Sequence, residues 1–181
     1  MSWSIVSLES VSPQRWKNGG GWTRELLAWP TPADWILRVS IADIEADGPF
    51  SSFPGIDRWF GVLSGMGVCL YDYEVLPGDD LLHFDGGTGP DCTLIKGPTR
   101  DFNLMHRRGA GRVQVQDATS KPCELKGELV MLFTSEGGVM QHGGRKHPLA
   151  PLSLAWCMQA ADQSLSFAGK GAAWWICWSA G

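Results

Sequence analysis

Three short stretches of the chain concentrate residues able to do chemistry. The first runs Trp16-Lys17-Asn18-Gly19-Gly20-Gly21-Trp22-Thr23-Arg24-Glu25. Three successive glycines remove every Cβ from a turn, so the backbone can approach a ligand or another segment closely. Consecutive N–H groups there can form an anion-binding nest, with Lys17, Thr23 and Arg24 as further donors. Such a site would take a carboxylate or another anion. The same residues equally suit a tight loop whose charges pair with one another. No Gly-Lys-Ser/Thr ending follows the glycines, so this is not a Walker phosphate loop.

The second stretch spans residues 47–58, with Asp47-Gly48 and Pro54-Gly55 as turn dipeptides and Phe50 and Phe53 as apolar anchors. Arg58 closes it. Arg58 either pairs with Asp57, or points into a barrel, where its planar fork suits a carboxylate. The third stretch is Asp101-Phe102-Asn103-Leu104-Met105-His106-Arg107-Arg108. In an extended segment Asp101, Asn103, Met105 and Arg107 share one side. That side offers an acceptor, an amide, a soft apolar group and a cation for a small polar molecule. A solvated edge strand is the alternative.

Metal and nucleophile chemistry find little support. The four histidines are His83, His106, His142 and His147, and no two have the H-x-H spacing of a paired metal site. His142 and His147 flank Gly143-Gly144-Arg145-Lys146, whose positive charge disfavours a divalent cation. There is no G-x-S-x-G, no H-E-x-x-H and no G-x-G-x-x-G after a strand. No metal, no cofactor and no catalytic residue set is expected.

The elements that must carry these residues read as strands. Residues 35–44 alternate, with Trp35, Leu37, Val39 and Ile41 on one face and Ile36, Arg38, Ser40 and Ala42 on the other. The polar set can line a cavity. Residues 58–63 and 67–73 read as a hairpin turning at Ser64-Gly65-Met66-Gly67. Further strands are read at 3–8, 81–84, 92–96, 112–116, 128–134, 152–158, 165–168 and 173–178. Helix periodicity is scarce, and 23 glycines and 11 prolines punctuate the chain, as in all-β sandwiches and barrels. Leu76-Pro77-Gly78-Asp79 and Leu149-Ala150-Pro151-Leu152 each precede a strand, which suggests a weak internal duplication.

Bulk properties narrow the function classes. The 181 residues are 44% apolar, enough for one sizeable core or two small barrels. A formal net charge of −4 argues against general nucleic-acid binding. Five cysteines, an odd number without C-x-x-C spacing, do not make a secreted disulfide framework. The first residues lack a signal-peptide pattern, and the longest apolar cluster, residues 172–178, is too short to span a bilayer. A cytoplasmic protein without membrane contact is expected.

The three stretches together resemble the HutD/Ves family. Its W-K-N-G-x-G-x-T-R-E segment is matched at residues 16–25, and its Ser-x-Ala strand end at Ser40-Ile41-Ala42. Its G-P-F-S-x-F-P-G-x-D-R loop is matched at 48–58, and D-F-N-x-M-x-R-R at 101–108. The resemblance implies an all-β, cupin-like jelly-roll barrel of bicupin type. An N-terminal barrel of about residues 1–110 would carry the motifs, with a C-terminal barrel over about 111–181 and strand exchange between them. It also implies a non-enzymatic protein that modulates histidine utilisation by binding N-formylglutamate or a related small carboxylate. The ligand set would be Lys17, Asn18, Thr23, Arg24, Arg58, Asn103 and Arg107. Arg24 or Arg58 would clasp a carboxylate with Lys17 as a second cation, and Asn18 and Asn103 would read an amide or formyl group. Two alternatives stay open. One is a metal-free enzyme using Glu25, Asp101 or His106 as acid or base. The other is an interaction or stress-response module of the Ves type. The sequence leaves room for a homodimer.

Overall fold

The computed structural model describes residues 2–158 and 164–181. Near the N-terminus lie β1 (Ser4–Ser7), a single 3-10 turn (Leu8–Ser10) and β2 (Gln14–Arg15). There follow β3 (Gly21–Trp29), β4 (Leu37–Ile44), β5 (Gly48–Pro49), β6 (Ile56–Ser64), β7 (Val68–Leu70) and β8 (Tyr73–Val75). Next come β9 (Leu82–Asp85), β10 (Asp91–Leu94), β11 (Thr99–Arg107) and β12 (Arg112–Asp117). The last are β13 (Leu129–Thr134), β14 (Gly138–His142), β15 (Arg145–Leu149), β16 (Ser153–Met158), β17 (Leu165–Gly169) and β18 (Ala173–Ser179). The protein is all-β, with no α-helix among the described residues.

The chain forms two compact units. One is Val11–Arg108; the other joins Met1–Ser10 to Gly109–Gly181. In the Val11–Arg108 unit a six-stranded sheet runs β2-β3-β4-β11-β6-β9 and a four-stranded sheet runs β5-β10-β7-β8. Ile44, Phe60 and Val62 from the larger sheet pack with Val68, Leu70, Val75 and Cys92 from the smaller. These residues form a shared core between the two sheets, in the manner of a sandwich.

The other unit is built in the same way. Its sheets run β1-β16-β13-β18-β12 and β15-β14-β17. Val130, Leu132, Ala155 and Trp175 of the first pack with Met140, Leu149 and Leu165 of the second. Gly143 and Gly144 form the tip of the β14–β15 hairpin, with both glycines at positive φ (55° and 75°) and His142 opposite Arg145. The 3–8 strand is an edge strand, β1, paired among the described residues with β16 alone.

One expected hairpin is not there. β6 pairs with β11 and β9, whereas β7 pairs with β10 and β8, so residues 64–67 carry the chain from one sheet to the other. A two-strand turn and a sheet-crossing corner need the same residue types. What distinguishes them is tertiary. A Cβ on Gly65 would lie 2.7 Å from the Pro98 carbonyl oxygen, and one on Gly67 would lie 2.6 Å from that of Val75. Both glycines also hold positive φ.

The strand alternation expected at residues 35–44 appears in β4, which starts at Leu37. Both of its faces are largely buried: Leu37, Val39 and Ile41 on one, Ser40, Ala42 and Ile44 on the other. In register, Ser40 lies opposite Asn103 and Ala42 opposite Asp101. β6 places Phe60 opposite Asn103 and Arg58 opposite Met105. Directly paired residues point to the same side of a sheet. This register therefore gathers Arg38, Ser40, Ala42, Asp101, Asn103, Met105 and Arg58 on one face.

Candidate functional site

That face forms the wall of a cavity of about 700 Å³ inside the Val11–Arg108 unit. Arg58 lies deep within it, 4% exposed. Its guanidinium carbon sits 4.9 Å from the Phe50 ring centre, 5.2 Å from Phe84 and 5.9 Å from Phe53. Aromatic faces attract a cation but supply no hydrogen-bond acceptor along its edges. Arg58 Nη2 donates to Asn103 Oδ1 at 2.6 Å. Asn103 Nδ2 in turn donates to Asp101 Oδ1. Arg58 Nε, Arg58 Nη1 and Asp101 Oδ2 are buried without a hydrogen-bond partner among the described residues.

Burial shapes the electrostatics of both ends of this chain. Desolvation lowers the Arg58 pKa to about 10, although Asp101 pulls it back up. Desolvation pushes the Asp101 carboxyl well above the usual carboxylate range, against the attraction of Arg58. Gly86 makes room for the arginine stem: a Cβ there would sit 3.1 Å from Arg58 Cγ and Cδ.

The glycine segment borders the same cavity. Trp16 N donates to Gly21 O and Gly19 N to Trp16 O, which closes a hairpin tip between β2 and β3. Gly20 N donates to Asn18 Oδ1 at 2.9 Å. Two N–H groups of the expected anion nest are thus engaged within the loop itself. Gly21 permits close packing, because a Cβ there would lie 2.4 Å from Asp43 O. Lys17 and Asn18 line the cavity from exposed positions, and Thr23 lines it while accepting from Trp16 Nε1 at 2.7 Å.

Of the seven residues expected to bind a ligand, Lys17, Asn18, Thr23, Arg58 and Asn103 line the cavity, and Arg24 and Arg107 do not. Arg24 falls on the opposite face of β3 and pairs with Asp43 at 3.0 Å. Arg107 ends β11 and pairs with exposed Asp34 at 2.6 Å. Arg58 does not pair with Asp57, whose partner is Arg108 at 2.7 Å. Asn103 has both ends of its amide engaged within the protein. Of the acid–base candidates, Glu25 is held by Arg38 at 2.6 Å, and His106 alternates with Met105 onto the other face of β11. Asp101 alone faces the cavity with an oxygen unused. The expected ligand set omitted it, along with Arg38 and Arg15. For Asp101 and Arg38 the signal was present, since each shares the alternation phase of a residue already placed on that side. No group of three or more His, Cys, Asp or Glu able to hold a metal exists among the described residues.

Paired sheets around a cavity lined by both polar and apolar side chains define a cupin-like all-β protein. An oxalate decarboxylase variant from Bacillus subtilis shares this fold over 97% of the chain and 77% of its own, with a TM-score of 0.61 and 9% identity. The chain belongs to the HutD family, whose model matches residues 8–175. It is 38% identical over 165 residues to an uncharacterized 21.2 kDa protein in the hutC 3′ region of Pseudomonas putida, covering 86% of both chains. It is 33% identical over 153 residues to protein Ves of Citrobacter koseri, covering 74% of this chain and 80% of that one. The structure of HutD from Pseudomonas fluorescens SBW25 superposes with a TM-score of 0.84 at 26% identity, over 99% of this chain and all of the other. No helix among the described residues is long and apolar enough to cross a membrane.

Proposed function

We propose that this protein is a non-enzymatic binder of a small carboxylate, held in the cavity of the Val11–Arg108 unit, and that binding modulates histidine utilisation. The observation that carries the reading is Arg58, a buried cation lining the cavity, whose Nε and Nη1 have no hydrogen-bond partner among the described residues. Leaving a buried charged donor unsatisfied is costly, and a carboxylate oxygen is the partner that removes that cost with a charge-assisted bond. Lys17 at the rim supplies a second cation without an ion pair among the described residues, which suits a ligand with a carboxylate at each end. Asn18 Nδ2 is available to read a carbonyl group. N-formylglutamate meets all three requirements. The link to histidine utilisation rests on family membership and on the Pseudomonas putida relative in the hutC 3′ region. The two-sheet units, each with its own core, support a bicupin in which each unit is one barrel. Five free thiols suit a reducing compartment such as the cytoplasm.

Calorimetric titration of the metal-free protein with N-formylglutamate tests the reading, with urocanate, histidine and glutamate as controls. Saturable one-to-one heat for N-formylglutamate is expected, lost in Arg58→Ala and retained in Arg24→Ala. Absence of binding by all of these acids would remove the small-carboxylate reading. A metal-free enzyme is the second reading, favoured by Asp101, because a carboxyl held above its ordinary range in a cavity is the usual form of a catalytic acid. Steady product formation from N-formylglutamate, abolished in Asp101→Asn, would select it.

A further inference from the structure

Among the residues lining the cavity, the cationic ones are Arg15, Lys17, Arg38 and Arg58, and the single acidic one is Asp101. The state of that one carboxyl therefore decides which ligand charges the cavity accepts. Its surroundings favour the neutral acid. Asp101 is 1% exposed, and its Oδ2 contacts no donor. Arg58 does not reach across to form an ion pair; it donates to Asn103, which stands between them on β11. Asn103 gives Asp101 a single N–H, on Oδ1. A buried carboxylate with one oxygen bare and no direct cation is a high-energy state, and binding a proton at Oδ2 relieves it.

Building on the carboxylate-binding reading, we infer that Asp101 is the specificity-determining group of this cavity: a neutral carboxylic acid that donates from Oδ2 to the ligand. Its consequence is a preference for acids whose nitrogen is acylated or absent. Donors then line the deep end of the cavity: Arg58 Nε, Arg58 Nη1 and the Asp101 hydroxyl. A carboxylate or carbonyl oxygen is satisfied there. An ammonium group is not, because no ionised carboxylate lining the cavity receives it and the lining charges left without an ion pair among the described residues, Arg58 and Lys17, are positive; Arg15 and Arg38 are paired with Glu45 and Glu25. Juxtaposing like charges in a desolvated site is strongly unfavourable. An amino acid carrying a free α-ammonium is thereby rejected, while its N-acyl form or the corresponding diacid is taken.

The same arrangement couples binding to pH. The groups around Asp101 are Arg58 on β6, Arg38 on β4 (paired with Glu25 on β3) and the Cys92 thiol on β10. Lys17 stands at the rim, and Asp43 lies on the other face of β4. Asp43 is shared by Arg24 and Arg100, and Glu25 is neutralised by Arg38. Raising the pH through the Asp101 titration converts its donor into a second anion beside the ligand. Affinity is full below that titration and falls above it, by up to about tenfold per pH unit for one linked proton.

The test titrates the intact protein calorimetrically with N-formylglutamate, glutarate and glutamate from pH 5 to pH 9. The expected result is glutamate at least about 100-fold weaker than the tighter of the other two at pH 6, with affinity for that ligand declining at high pH. Asp101→Asn, whose amide donates at every pH, flattens the profile. Glutamate binding within tenfold of the tighter ligand, or a flat profile in the unmodified protein, overturns the inference while leaving carboxylate binding intact. If none of the three acids binds, the carboxylate reading itself falls, and this inference with it. The ligand comparison and the pH profile need no variant, so a folding defect in Asp101→Asn does not decide the matter.

Discussion

Arg58 on β6 donates to Asn103 on β11 at 2.6 Å, diagonally across the sheet, since Arg58 itself lies opposite Met105. The bond joins the deepest cation of the cavity to an amide whose other end holds Asp101. Asn103 is therefore structural before it is functional: it satisfies one donor of a buried guanidinium and one acceptor of a buried carboxyl. Replacing it with leucine removes both partners at once and leaves both groups buried. Asn103→Leu is expected to lower stability by about 1–3 kcal/mol, the usual cost of orphaning buried polar groups. Urea denaturation reads this directly, and a midpoint equal to that of the parent protein would contradict the relay.

Arg58→Met examines the charge on Asp101 from the side of stability. Methionine fills much of the arginine volume between the phenylalanine rings and brings no unsatisfied N–H. With Asp101 neutral, the substitution leaves no orphaned charge, and the loss is at most about 1–2 kcal/mol from the freed Asn103 oxygen. With Asp101 ionised, removing its neighbouring cation costs about 3–5 kcal/mol. Denaturation at pH 7 separates the two, and the same variant is expected to give no titratable heat with N-formylglutamate.

Much of the site was legible because strand alternation is a local property. The phase of residues 36–42 put Arg38, Ser40 and Ala42 on one face, and the phase of 101–105 grouped Asp101, Asn103 and Met105; both groups line the cavity. Arg24 was misplaced because the glycine segment reads as a loop through Glu25. The strand already begins at Gly21, so Thr23 and Arg24 point to opposite sides. Arg107 has the right phase but lies at the strand end, where Asp34 from a surface turn captures it. The corner at residues 64–67 was unreadable for a different reason: glycines permit both a hairpin and a crossing between sheets, and only the neighbours at Pro98 and Val75 select the second.

That corner makes a graded prediction about glycines. Gly55 and Gly65 both hold positive φ, 77° and 97°, but a Cβ on Gly55 meets nothing within 4 Å. Gly55→Ala is expected to cost about 1–2 kcal/mol, the backbone strain of an L-residue there. Gly65→Ala adds overlap with the Pro98 carbonyl and the Thr99 backbone, and overpacking adds about 1–3 kcal/mol more. Thermal unfolding of the two variants side by side is the measurement, and equal melting temperatures would argue against the crossing.

The thiols give a chemical map of both units. Burial pushes the Cys92 thiol up to about 12, with the nearby Asp101 adding to the shift. Cys177 is also pushed up, first by its contact with the Cys123 thiol and then by burial, while that contact draws Cys123 down. The thiolate is the reactive form, so ionisation and access set the order of modification. With a thiol-specific alkylating reagent at pH 8, Cys123 in the native protein is expected to react well before Cys92 and Cys177. Those two become reactive only as the protein unfolds. Peptide mapping by mass spectrometry over a time course gives the order. Early labelling of Cys92 would mean that the layer formed by Phe60, Val62, Val68 and Leu70 opens without global unfolding, and the cavity beside it would then lack the rigid floor that its unpaired donors require.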